Sequence, residues 1–184
     1  MLTIILLLIL AYAYYTGYQR GFALQLVYSI GYIICYFIAK RNYEKLGAAL
    51  ELWIPFPSAT QETKMFFFDE KTMLELDKAF YAGFAFLVIY FLGYLAVRLI
   101  ALFAHKLIML EVFGKKNRVL GGVAGVFAVY IGLFLILSLA SMVPNNTLQR
   151  ILGGDILARA MIVYTPIFSN DVHSMWITDI IGKI

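Results

Sequence analysis

Four stretches of this chain carry no charged side chain for about as long as a bilayer is thick: Met1 to Gln19, Gly21 to Ala39, Ala79 to Val97 and Val119 to Val143. A helix rises about 1.5 Å per residue, so roughly 20 residues cross a hydrocarbon core of about 30 Å. Backbone amides in lipid must bond within their own segment or in a closed barrel. These runs are continuous, as in TIILLLILAYAYY from Thr3 to Tyr15, and lack the period-two alternation of barrel strands. An all-α integral membrane protein with four transmembrane helices is expected, over about 2–18, 22–39, 79–103 and 119–143. With 62% hydrophobic residues among 184, the chain holds more apolar surface than a soluble domain of this size can hide.

The first run has no basic region ahead of it. Its first positive charge, Arg20, follows the apolar stretch, so an uncleaved span is expected, not a signal peptide. Lone Cys35 lies inside the second run as a small core side chain and excludes an intramolecular disulfide. The net charge of +4 comes from basic residues beside hydrophobic spans and not from a soluble basic face, so nucleic acid is not an expected partner.

Charge placement orients the spans. The connection between spans three and four holds Lys106, Lys115, Lys116 and Arg118 against one acid, Glu111, and the tight bend between spans one and two holds Arg20. Lys and Arg near span ends resist translocation, so both short connections are expected in the cytoplasm and both termini outside. The outward loop 40–78 has six basic residues against seven acids, and the tail 144–184 has three of each. Lys40, Arg41 and Lys45 run against this bias, and snorkelling to lipid phosphates accounts for them.

The membrane domain is expected over 1–143 and an extracytoplasmic, interfacial tail over 144–184. In the outward loop, Tyr43 to Trp53 reads as a surface-lying amphipathic stretch, Pro55 and Pro57 as a helix break, and Asp69 as the start of an approach to span three. Trp53, Phe56 and Trp176 are the expected interfacial anchors. In the tail, Asp155 reads as the cap of a short helix over Ile156 to Tyr164, stopped by Thr165 and Pro166.

Gly121, Gly125, Ala128 and Gly132 recur at three- or four-residue steps and leave one side of span four almost bare. Gly17 and Gly21 form a second small-xxx-small pair. Such faces let another backbone approach. Packing within the bundle is favoured over a homo-oligomer contact, and the two uses are compatible.

A transporter or proton relay usually places ionisable groups inside its spans, and none lies centrally in these four. Arg98, toward the cytoplasmic end of span three, reads as snorkelling. His105 and His173 fall on opposite sides of the expected membrane and cannot share a metal. Ser169, Asp171 and His173 are close in sequence without forming a recognisable triad, and no phosphate-binding Gly-rich loop precedes a Lys. No catalytic, cofactor-binding or metal-binding residue is assigned.

Several segments carry a resemblance: GYQRGF at Gly17 to Phe22, IPFPS at Ile54 to Ser58, LDKAFY at Leu76 to Tyr81, NRVLGGVAG at Asn117 to Gly125 and TPIFSN at Thr165 to Asn170. Together they resemble the colicin V production (CvpA) family, in its Gram-positive form, nearly end to end. The resemblance implies a small inner-membrane protein tied to production or export of a peptide toxin and to envelope upkeep, with no catalytic residues to carry over. Relatives fused ahead of an extracytoplasmic protease imply that span four ends outside. Thr3 stands where many relatives have an acid. The expected function is accessory: a scaffold that contacts the bilayer, further copies of itself or a secretion or envelope protein. The alternative is an oligomeric channel or transporter for a small solute or ion.

Overall fold

A computed structural model describes residues 1–56, 65–68, 76–103 and 114–181, with the backbone alone at Lys115. Lys106, His105, Glu111, Asp69, Pro57 and Ser58 lie outside the described residues. All regular structure among the described residues is helical. Helix α1 is Leu2–Leu50, α2 is Leu76–Phe103 and α3 is Asn117–Ser141, entered by a 3-10 turn at Gly114–Lys116. The tail folds as α4 (Asn146–Gly154), α5 (Ile156–Tyr164), α6 (Phe168–His173), a π-helical turn at Ser174–Thr178 and α7 (Asp179–Ile181).

Helices α1, α2 and α3 are each long and apolar enough to cross a membrane. Helix α1 is broken at Gly21, where φ is 73° and ψ is 168°, a conformation essentially reserved for glycine. The break divides it into a first arm, 2–20, and a second arm, 22–50. The second arm does not stop where the expected span ends. It continues through Tyr43 to Leu50, so the expected separate surface stretch is the last part of one helix, and the chain turns only at 51–54 ahead of Pro55.

Two compact units are built from this chain. The first comprises Met1–Thr3, Lys40–Val88 and Phe134–Ile184, and the second Ile4–Ala39 and Ile89–Leu133. Large apolar side chains face outward along the long helices, among them Leu8, Ile34, Phe91, Leu99 and Phe127, while Gln25, Tyr28, Tyr32 and Tyr36 are buried. Such an apolar exterior fits a chain whose solvent is lipid.

Helix ends in the tail follow local capping rules. Asn145 accepts from the amides of Thr147 and Leu148 to start α4. Asp155 Oδ1 accepts from Ala158 N at 3.1 Å to start α5, and Thr165 ends it. Ile167, within TPIFSN, has φ of 68°, an uncommon conformation for a β-branched residue. The following turn is closed by Asp171 N donating to Ile167 O at 3.0 Å.

Candidate functional site

The first unit is assembled on the tail. Thr3 N and Thr3 Oγ1 both donate to Asp155 Oδ2 at 2.7 Å. Met1 supplies no side-chain cap to α1. One carboxylate therefore serves two helix starts, its Oδ1 on α5 and its Oδ2 on α1. Burial would raise the Asp155 pKa, but the bonds from Thr3 and Ala158 outweigh it and hold the carboxyl below its ordinary value.

Further along the tail, Asp171 forms an ion pair with Lys40. Tyr43 OH donates to the Met175 carbonyl at 3.0 Å. Buried Gln149 donates to the carbonyls of Ser141 and Val143 at 2.7 and 3.0 Å, and its Oε1 accepts from Phe66 N at 3.1 Å. The Phe66 ring packs so closely on Gly153 that a Cβ there would stand 2.5 Å from it. The aromatic run Phe66–Phe68 thus packs against the chain's own tail. Phe68, Phe134, Ser138, Met142, Ser169 and His173 line part of a cavity of about 220 Å³.

The expected role of Trp176 is corrected. It is fully buried and meets Phe86 edge-on at 5.6 Å. A Cβ on Gly83 would come within 2.9 Å of its ring, so this glycine opens the slot that the indole fills. A residue with no exposed face cannot anchor in the lipid interface. Trp53, by contrast, is largely exposed, and Phe56 is half-buried against Phe80 at 4.9 Å between centroids. Tyr81 OH donates to Ile54 O at 2.5 Å, so IPFPS and LDKAFY meet.

In the second unit, GYQRGF meets NRVLGGVAG. A Cβ on Gly121 would lie 2.6 Å from Gly17 O, one on Gly125 would lie 2.8 Å from Ala13 O, and one on Gly21 would lie 2.9 Å from Asn117 Nδ2. The first arm of α1 and helix α3 therefore run antiparallel at backbone contact, and Gly21, next to Arg20 in the chain, faces Asn117 at the start of α3. Ala128 is half-buried, whereas a Cβ on Gly132 would meet nothing within 4 Å. Gly93 against Cys35 and Gly31 against Val97 join the second arm to α2.

A polar cluster also lies in this unit. Arg20 covers the Tyr28 ring at 4.4 Å and donates to Gln25 Oε1 at 3.4 Å. Tyr28 lies 6.1 Å from Tyr32, which stacks on Tyr94 at 5.0 Å. Arg98 covers the Tyr94 ring at 5.4 Å and donates to its hydroxyl at 2.9 Å.

The tail residues that could suggest hydrolysis are engaged elsewhere. Ser169 Oγ donates to the carbonyls of Ile162 and Val163 at 3.1 Å, and Asp171 holds Lys40. No group of three potential ligands that could hold a metal ion occurs among the described residues.

Apolar helices of spanning length, an apolar exterior and polar groups turned inward define a multi-pass helical membrane protein. The chain belongs to the family described as colicin V production protein, whose profile matches residues 2–166. It is similar to the uncharacterized transmembrane protein YshB of Bacillus subtilis (strain 168), at 32% identity over 178 residues, or 96% of this chain and 97% of that protein. No solved structure matches the chain. Neither the family nor this relative is known as an enzyme.

Proposed function

We propose that this protein is an accessory or scaffold protein of the bacterial cytoplasmic membrane that supports production or export of a peptide toxin and upkeep of the envelope. Helix α1 would cross twice. Its 49 residues would extend about 74 Å if straight, more than twice a hydrocarbon core, and the break at Gly21 divides it into two spanning arms. With α2 and α3 that makes four crossings. The basic residues around Arg20 and Arg118 favour cytoplasmic bends and outward termini.

The observation that carries the accessory reading is the folded tail. It is fixed to Thr3, Lys40 and Tyr43 by polar bonds, yet leaves Ile156, Tyr164 and Ile167 exposed beside the buried Ala158 and Met161 of α5. A rigid outer element with apolar side chains at its surface suits docking of an envelope or secretion protein. Crosslinking in intact cells, followed by purification in mild detergent, should capture such a partner through the tail. A strictly monomeric, partner-free protein whose deletion leaves secretion and envelope integrity intact would remove the proposal. A reporter fused after Ile184 should be active outside the cell, and activity confined to the cytoplasm would reverse the orientation.

A second reading, an oligomeric channel or transporter, is favoured by the buried tyrosines of the second arm. Tyr28, Tyr32, Tyr36 and Tyr43 recur at four- and seven-residue steps and put phenols along one face. Solute or ion flux in liposomes holding purified protein discriminates the two.

A further inference from the structure

We propose that Arg20 and Arg98, with the tyrosines between them, form a binding site for a phosphoryl anion at the Gly21 end of the second unit. The chemistry needed is that of a phosphate monoanion or phosphodiester, whether in a lipid headgroup or free in solution.

Snorkelling explains why a cation occurs near the end of a span, but not how these two are held. Each guanidinium lies across a phenol ring, Arg20 on Tyr28 and Arg98 on Tyr94, and the Tyr32 ring joins those two rings in one aromatic row. The row fixes two long side chains that would otherwise sample many rotamers. Among the described residues neither arginine forms an ion pair with a carboxylate. Arg20 reaches the neutral oxygen of Gln25 at 3.4 Å, and Arg98 the neutral hydroxyl of Tyr94 at 2.9 Å. Each guanidinium has five N–H donors, so both retain donors for a further acceptor.

Arg20 is half-buried, Gln25 is almost wholly buried and Arg98 is exposed. A cation that is partly desolvated without a counter-charge is costly, and an incoming anion removes that cost. Phosphoryl oxygens match the planar fork of arginine and accept two parallel bonds from one guanidinium. The site also adjoins charge-free helical surface, including exposed Leu95 and Leu99 on α2, along which acyl chains can lie.

Native mass spectrometry of the full chain in mild detergent tests this. The wild type should retain phosphatidylglycerol about tenfold better than phosphatidylcholine with the same acyl chains, the scale of one charge-assisted contact. Combining Arg20→Gln with Arg98→Gln should bring the two lipids to parity, while Arg118→Gln, an exposed cation at the same end, should change the ratio by less than about twofold. The site is refuted if the wild type shows neither a preference for phosphatidylglycerol nor displacement of either lipid by inorganic phosphate, comparisons that need no variant to fold. It is equally refuted if Arg118→Gln costs as much as the double variant, since that is general attraction of basic protein for anionic lipid. Inorganic phosphate then assigns the source. Displacement of phosphatidylglycerol by about 10 mM phosphate supports a site for the free anion, and retention under the same conditions supports one that requires the lipid.

Discussion

The unit built on the tail is tied together by side-chain bonds that span long stretches of sequence: Thr3 to Asp155, Lys40 to Asp171, Tyr43 to Met175 and Phe66 to Gln149. In the other unit the helices meet where side chains are missing, at Gly17, Gly121 and Gly125, and backbone lies on backbone. The difference follows the solvent expected around each. Lipid offers no hydrophobic drive for helix association, so close van der Waals contact must supply it. Beside water, burying apolar surface is favourable in itself, and polar bonds then select one arrangement.

The comparison is most directly broken at Trp176. Trp176→Ala should destabilise the first unit by about 3–5 kcal/mol through an unfilled cavity, seen as protease sensitivity of the tail, while leaving the glycine contacts of the second unit intact. Equal loss in both units would mean that they do not fold separately.

Gly125→Leu is the matching test in the second unit. Overpacking against Ala13 O should cost about 1–3 kcal/mol in detergent-resistance measurements. Gly132→Leu should cost almost nothing within one chain. A change in oligomer size with Gly132→Leu alone would assign that glycine to contacts between copies.

Asp155→Ala should cost about 0.5–2 kcal/mol, since two helix starts lose their acceptor. Because the folded Asp155 has a depressed pKa, its contribution should be complete above the ordinary carboxylate value of about 3.9 and fade as pH falls through the lower, folded value. Tail protection measured by hydrogen exchange from pH 6 downward should show this loss in the wild type and not in Asp155→Ala. The smallest effect is expected from Lys40→Ala, about 0.2–1 kcal/mol, because the ion pair is partly exposed on both sides.

The features legible in the sequence are those set by neighbours in the chain. Helix α5 has the expected limits because its cap, Asp155, and its stop, Thr165–Pro166, are local signals. The charge-free runs and the small-residue steps of Gly17, Gly21, Gly121 and Gly125 were legible for the same reason, as was the family. The environment of Trp176 was not, because the slot that receives it is cut by Gly83, more than ninety residues earlier in the chain. Thr3 looked like the loss of an acid, yet an acid does stand at that place in space, delivered by Asp155. The continuation of α1 to Leu50 was hidden because Lys40, Arg41 and Lys45 mark the edge of an apolar run without ending the helix that contains it.

The shared carboxylate also sets an order of events during synthesis. The first turn of α1 is made before its acceptor, which lies 152 residues downstream. At about 5–20 residues per second that delay is roughly eight to thirty seconds. Throughout it the Thr3 amide lacks this acceptor, which arrives only once the segment carrying Asp155 has been made.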